Sequence, residues 1–223
     1  PPALIDAPWC TGRILLLEPR RLAARAAARR MAAERGERPG ETVGLSTRLD
    51  RLTGPATRIE VVTEGVLTRM LQADPGLDGV AAVIFDEVHE RSLNADLGLA
   101  LCLEAQGALR PDLRLLAMSA TLDAAPFAAL MGGAPVVTAE GRAFPVETVW
   151  LDAPLGARRI EDATADAILS ALAEHPGDVL AFLPGAGEIG RTAARLAGRL
   201  PETVDLRELF GDLPFEKQRA ALA

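Results

Sequence analysis

Val83-Ile84-Phe85-Asp86-Glu87-Val88-His89 is the stretch on which the reading of this chain turns. The apolar run over 80–85 shows no polar alternation, the pattern of a strand buried on both faces. Two carboxylates follow it without a gap. In open α/β sheets, ligands gather at the carboxyl ends of strands. A carboxylate placed there can hold Mg2+ against nucleotide phosphates. A second one beside it can orient or deprotonate an attacking water. The ordinary alternative is an Asp-Glu pair that merely opens a loop. An Asp-Glu-x-His match arises by chance in about one chain in a hundred of this length at average residue usage. Its place directly after an apolar run lowers that figure further.

Outward from this stretch, strand-like runs alternate with helical periodicity. Strands are expected over 13–17, 59–62, 80–85 and 113–118, and helices over 19–35, 64–72, 95–107 and 124–131. Pro19 is expected at the first position of its helix and Gly36 near its end. This order predicts a parallel, doubly wound α/β sheet. The pattern breaks over 138–150, where Gly141 and Pro145 interrupt Val/Thr-rich pieces. A helix at 160–173, a strand at 178–183, a helix at 188–200 and a strand at 203–206 are expected beyond it. The domain boundary is placed near residue 146, giving domains over 1–146 and 147–223.

Three further features share the strand-end position of Asp86. Ser119-Ala120-Thr121 follows the apolar run over 113–118, and its hydroxyls can bond a neighbouring loop or simply cap a turn. Glu18-Pro19-Arg20-Arg21 and Thr63-Glu64-Gly65 each lie where a strand gives way to a helix. Helix N-termini offer free N–H groups and a positive dipole end to phosphates. Thr63 is equally suited to be an N-cap.

Composition sets the outer limits. The chain has 223 residues, 49% of them apolar, which suits one large domain or two modest ones. No stretch approaches the roughly 20 apolar residues that span a bilayer, and no basic start leads into an apolar block. The start at Pro1 suggests a truncated beginning. Cys10 and Cys102 are read as free thiols, which points to a reducing cytoplasm. A net charge of −7 argues against a generic nucleic-acid binder. Residues 13–38 nevertheless carry eight arginines against three acids. A solvated arginine-coated helix is the plainer explanation, since 23 of the 24 basic residues are arginine.

Taken in order, these four motifs resemble those of the DExH-box (DEAH-type) superfamily 2 helicases, most closely the bacterial HrpB type, over essentially the whole chain. The resemblance implies an α/β fold of two RecA-like parallel-sheet domains, with ATP and Mg2+ as cofactors. It implies a nucleic-acid partner, RNA rather than DNA, and no membrane. It assigns Asp86 to Mg2+ and Glu87 to the metal site and the lytic water. His89 would link the ATP site to Ser119 and Thr121. Arg20, Arg21, Thr63, Glu64 and Gly65 would touch the nucleic-acid backbone. Gly141-Arg142-Ala143-Phe144-Pro145-Val146 resembles the junction into the second RecA-like domain. Phe182-Leu183-Pro184-Gly185 and Phe210-Gly211-Asp212-Leu213-Pro214 resemble later family segments.

Departures from the family pattern matter equally. The family's Gly-x-x-x-x-Gly-Lys-Thr loop does not occur, and the only lysine, Lys217, has no glycine loop before it. The Gln-x-x-Gly-Arg-x-Gly-Arg segment does not occur either. Both domains are therefore expected to be truncated and the chain to hold half an ATP site, inactive in hydrolysis by itself. The alternative is a nucleic-acid-binding module without catalysis. A rival class comes from Gly185-Ala186-Gly187-Glu188-Ile189-Gly190 with Asp205 beyond it, the spacing of an NAD-binding oxidoreductase. Metal-dependent hydrolysis at Asp86, Glu87 and His89 is another possibility, short of ligands because His175 falls in a loop of the other half.

Overall fold

Ile14, Leu15, Leu16 and Leu17 are all buried to 3% exposure or less. Side chains on both faces of this strand, β1 (Arg13–Glu18), are covered because it lies inside a six-stranded sheet. The computed structural model describes residues 1–120, 124–139, 141, 144–151 and 154–222, leaving aside the side chains at 215, 219 and 222. The other strands are β2 (Val43–Ser46), β3 (Arg51–Leu52), β4 (Ile59–Thr63), β5 (Val80–Phe85) and β6 (Arg114–Ala117), in the order β3-β2-β4-β1-β5-β6. All neighbours pair in parallel except β2 and β3. The sheet is thus mixed rather than wholly parallel. Only four residues separate β2 from β3, too few for a parallel crossover, and the chain turns back through a hairpin in which Thr47 N–H donates to Asp50 O at 2.8 Å.

Successive residues of each strand face opposite layers. Ile14, Leu16, Ile59, Val61 and Ile84 pack under helix α1 (Arg21–Glu34), which buries Ala24, Ala28, Met31 and Ala32. Leu15, Leu17, Val62, Val83 and Phe85 pack under α2 (Glu64–Ala73) and α3 (Leu93–Ala108), which bury Leu67, Leu71, Leu99 and Cys102. A short α4 (Ala125–Leu130) follows β6. The alanine-rich face of α1 lets the helix approach the sheet closely while its arginines stay outside.

Sequence expectation and structure differ at identifiable points. α1 opens at Arg21 with Arg20 as an extended N-cap (φ −118°, ψ 135°), so Pro19 lies outside the helix. Its fixed φ serves the turn that lifts the chain off the sheet. The far end is as expected: Gly36 (φ 71°) and Glu37 donate back to Ala33 O and Ala32 O, both at 2.9 Å. This is a left-handed C-terminal cap that suits glycine. β2 and β3 were not anticipated. β2 is four residues long and contains Gly44, where a Cβ would meet Thr57 Cγ2 at 2.8 Å and Leu52 O at 3.0 Å.

The chain divides into two compact units, Pro1–Glu140 and Gly141–Ala223. The described residues of the second unit form three helices, α5 (Ile160–Glu174), α6 (Ala186–Leu196) and α7 (Phe215–Leu222). α5 and α6 bury Ala163, Ala165, Thr192 and Leu196; ion pairs Arg191–Glu161 (2.9 Å) and Arg195–Asp162 join them, and Arg199, just past α6, pairs with Asp166 of α5 at 3.1 Å. The strands expected at 178–183 and 203–206 do not form. A strand needs a neighbour for its N–H and C=O groups, and no described residue of this unit supplies one. Leu180 and Phe182 are 76% and 86% exposed accordingly. This also removes the strand–turn–helix context that a dinucleotide fingerprint at 185–190 requires. Gly187 and Gly190 lie inside α6, and Asp205 is paired with Arg207 at 2.7 Å.

Candidate functional site

Because β4, β1, β5 and β6 run parallel and nearly in register, their carboxyl ends form one edge. Glu18 stands opposite Thr63. Asp86 N–H donates to Leu17 O at 3.0 Å, Met118 N–H to Phe85 O at 2.8 Å, and Val88 N–H to Met118 O at 3.0 Å. Segments scattered from residue 18 to residue 119 are thereby brought together: Glu18-Pro19-Arg20-Arg21, Thr63-Glu64-Gly65, Asp86-Glu87-Val88-His89 and Ser119. Thr121 lies outside the described residues, as do Arg142 and Ala143 of the expected junction.

At the centre of the edge, Asp86 is half-buried and its Oδ1 accepts the Glu87 N–H at 2.9 Å. Glu87 is left-handed (φ 53°, ψ 37°) and opens a 3₁₀ turn, Val88–Glu90, that closes on left-handed Arg91 (φ 50°). Such a conformation costs a non-glycine residue on the order of 1 kcal/mol and persists where the surroundings impose it. Here the buried Val88 and the bond to Met118 impose it, and the turn carries Glu87 and His89 clear of the sheet. His89 Nδ1 lies 3.3 Å from Glu87 Oε2 without the alignment of a hydrogen bond. Arg91 pairs with Asp96 at 3.0 Å and rests over the Phe127 ring, 5.6 Å from its centroid.

Glu18 belongs to this site although sequence reasoning gave it no role. It is 6% exposed. Burial, then the charge and hydrogen bond of the neighbouring Asp86 carboxyl, push its pKa up to about 7. The signal was present in the sequence: Glu18, like Asp86, ends an apolar strand.

The donor set suits Mg2+. Asp86 and Glu87 offer hard carboxylate oxygens, and among the described residues no group of three or more His, Cys, Asp or Glu is placed to hold a metal ion by itself. Mg2+ is typically held through one or two carboxylates together with substrate phosphates, not in an all-protein cage. A dedicated metallohydrolase centre has no comparable support. His175 ends α5 in the other unit.

On the flank of the edge, Arg20 Nη2 donates to Glu90 Oε1 at 2.8 Å. Arg21, beside it, is exposed. Thr63 occupies the N-cap position of α2, but its side chain makes no capping hydrogen bond, so the helix does not use its hydroxyl. Glu64 is half-buried and Gly65 is exposed. A cavity of about 420 Å3 opens between Trp9, Gly12, Val80 and Arg114. It lies at the amino ends of β1, β5 and β6, away from the strand ends where ligands of such sheets gather.

No protein-family model matches the chain. Curated relatives do match. The chain is 52% identical over 222 residues to the ATP-dependent RNA helicase HrpB of Escherichia coli, covering 100% of this chain and 27% of that protein. It is 38% identical over 185 residues to the probable ATP-dependent RNA helicase DHR2 of Saccharomyces cerevisiae, covering 81% and 24%. It is 44% identical over 142 residues to the DExH-box ATP-dependent RNA helicase DExH3 of Arabidopsis thaliana, covering 64% and 12%. Two solved structures are similar at 52% identity. The crystal structure of the E. coli DExH-box NTPase HrpB gives a TM-score of 0.82, covering 100% of this chain and 28% of that one. The crystal structure of the Escherichia coli DEAH/RHA helicase HrpB gives 0.92, covering 99% and 28%. The chain spans about a quarter of the length of the E. coli relative it matches.

Proposed function

We propose, for a chain whose whole length is DExH-box helicase sequence close to HrpB and whose α/β sheet matches the RecA-like structure of that helicase, that it forms the part of an ATP-dependent RNA helicase core that carries the hydrolytic carboxylates and the first stretch of the nucleic-acid track. The observation that carries this reading is the single sheet edge on which the Glu18, Thr63, Asp86 and Ser119 segments meet.

In this reading Asp86 holds Mg2+, with Glu87 beside it, and the metal supplies charge neutralisation for the β- and γ-phosphates when bound. Glu87, carried outward by its left-handed backbone, orients the attacking water and takes its proton. His89 lies against Glu87, and by the family resemblance it would link the ATP site to Ser119 and Thr121, through which hydrolysis would be coupled to strand separation. Arg20, Arg21 and the unspent hydroxyl of Thr63 hold backbone phosphates, while Glu64 and Gly65 form the start of α2 past which the strand runs. The residues 1–146 and 147–223 correspond to the first and second RecA-like domains. RNA is the substrate, the compartment is the cytoplasm, and protein partners are unassigned.

The test uses this sequence joined to a Gly-x-x-x-x-Gly-Lys-Thr loop. Glu87→Gln should keep Mg2+–ATP binding and lower turnover by roughly 10²–10⁴-fold, the range for loss of a general base. Asp86→Asn should instead weaken the Mg2+ dependence. Duplex unwinding at the unaltered rate by Glu87→Gln would remove the assignment. A second reading, a nucleic-acid-binding module without turnover, is favoured for the chain by itself, because its only lysine is Lys217 and no phosphate-binding loop precedes it.

A further inference from the structure

Arg20 and Glu90 are 70 residues apart in sequence and meet at 2.8 Å on the sheet edge. The pair is solvent-facing, with the arginine side chain 72% and the glutamate 32% exposed. Glu90 closes the turn that bears Glu87 and His89, and both flanks of that turn are left-handed. Within the turn only two backbone bonds run, Glu90 N–H to Glu87 O at 2.9 Å and Arg91 N–H to Val88 O at 3.3 Å. The residue before α1 therefore holds the turn from outside through one side-chain contact, Arg20 on Glu90.

We propose that Glu90 is a built-in substitute for a nucleic-acid phosphate on Arg20, that a bound strand displaces it, and that the displacement frees the turn bearing Glu87 and His89. This rests on the reading of Arg20 as a backbone contact. Carboxylate and phosphate oxygens both accept charge-assisted hydrogen bonds from the guanidinium fork, at similar lengths. They compete for the same N–H groups. An exposed ion pair is weak, so breaking it costs an incoming strand only a factor of a few in affinity. What the strand gains is a mechanical link: occupancy of the arginine side is reported to the residue that orients water. Arg20 at the first position before α1 is otherwise a cation at the unfavourable end of a helix dipole, and Glu90 relieves that only while no strand is bound.

The test measures binding of a fluorescent twelve-residue oligouridylate to this chain by anisotropy, for the native sequence, Glu90→Gln, Arg20→Ala and the double variant. Glu90→Gln should bind roughly two- to fivefold tighter, the factor corresponding to one exposed ion pair. Arg20→Ala should bind more weakly, and adding Glu90→Gln to it should recover nothing. Hydrogen exchange over residues 87–91 should rise when oligouridylate binds the native chain and should already be raised in unliganded Glu90→Gln. A gain on Glu90→Gln that persists undiminished in the Arg20→Ala background would mark a general charge effect and overturn the proposal. So would unchanged affinity of Glu90→Gln or exchange unaltered by the oligonucleotide, with Arg20 still a contact. Unchanged binding by Arg20→Ala would overturn the reading beneath it as well.

Discussion

Burial and the neighbouring Asp86 carboxyl favour the protonated form of Glu18. Its pKa is raised from 4.5 to about 7, by burial first and by Asp86 next. Between those values the folded chain holds the proton more firmly than the unfolded chain does. The group's contribution is therefore full below about 4.5 and is lost as pH rises toward 7. Glu18→Gln should raise the melting temperature near pH 8 by a few degrees, the scale on which about 1 kcal/mol moves a domain of this size. The gain should vanish as pH falls to about 4.5. Melting curves across that range check it, and a gain independent of pH would show that the proton is not the cause. At this scale the strand-end position of Asp86 and Glu87 was legible, because the apolar run over 80–85 stops there. The Arg20–Glu90 and Glu18–Asp86 contacts were not. They depend on β1 lying next to β5, and strand order in a sheet is not written in chain order.

Among the elements, α1 shows how much periodicity conveys and where it stops. The face that packs on the sheet is Ala24, Ala28, Met31 and Ala32, with Ala23 and Ala27 only half-buried. The stop at Gly36 was readable, and Gly36→Ala should destabilise the first unit by about 1 kcal/mol, since alanine is strained at φ 71°. Chemical denaturation checks this, with no loss expected if the cap were irrelevant. The start of the helix was misplaced because Pro19 serves equally well in the turn before a helix as in its first turn. Arginine spacing could not separate a coated surface from a binding stripe. Part of the stripe has internal partners: Arg25 donates to Asp50 through Nε at 3.0 Å and through Nη2. Arg20 and Arg21 at the helix start are the pair proposed to meet a strand. Alanine at both should weaken binding to all single-stranded sequences alike. It should also flatten the plot of log affinity against log salt by about 0.7 per lost phosphate contact. An unchanged slope would return α1 to a solvated surface. β2 and β3 escaped notice because two short strands around a glycine and a hairpin leave too few residues for a period to show.

For the whole molecule, the alternation of strands and helices over the first unit was legible; in the second unit the helices expected at 160–173 and 188–200 form as α5 and α6, and the strands do not. Residues 178–183 have strand composition, yet a strand exists only with a neighbour, and composition cannot report whether one is present. The two cysteines are free and buried, and burial pushes the Cys102 thiol up to about 12, so thiol reagents should leave Cys102 unmodified at neutral pH until the first unit unfolds. No helix among the described residues is long and apolar enough to cross a membrane. In the proposed reading Asp86 and Glu87 arrange metal and water, while the β- and γ-phosphates call for a glycine-rich cradle and a lysine, a pattern that does not occur in this sequence. The decisive measurement is phosphate release from ATP with single-stranded RNA present, for this chain by itself and for the same sequence joined to a Gly-x-x-x-x-Gly-Lys-Thr loop. The account predicts no release above buffer from the chain by itself and RNA-dependent release from the joined protein. RNA-stimulated release from the chain by itself would contradict it, because the nucleotide site would then lie somewhere other than the edge at Asp86 and Glu87.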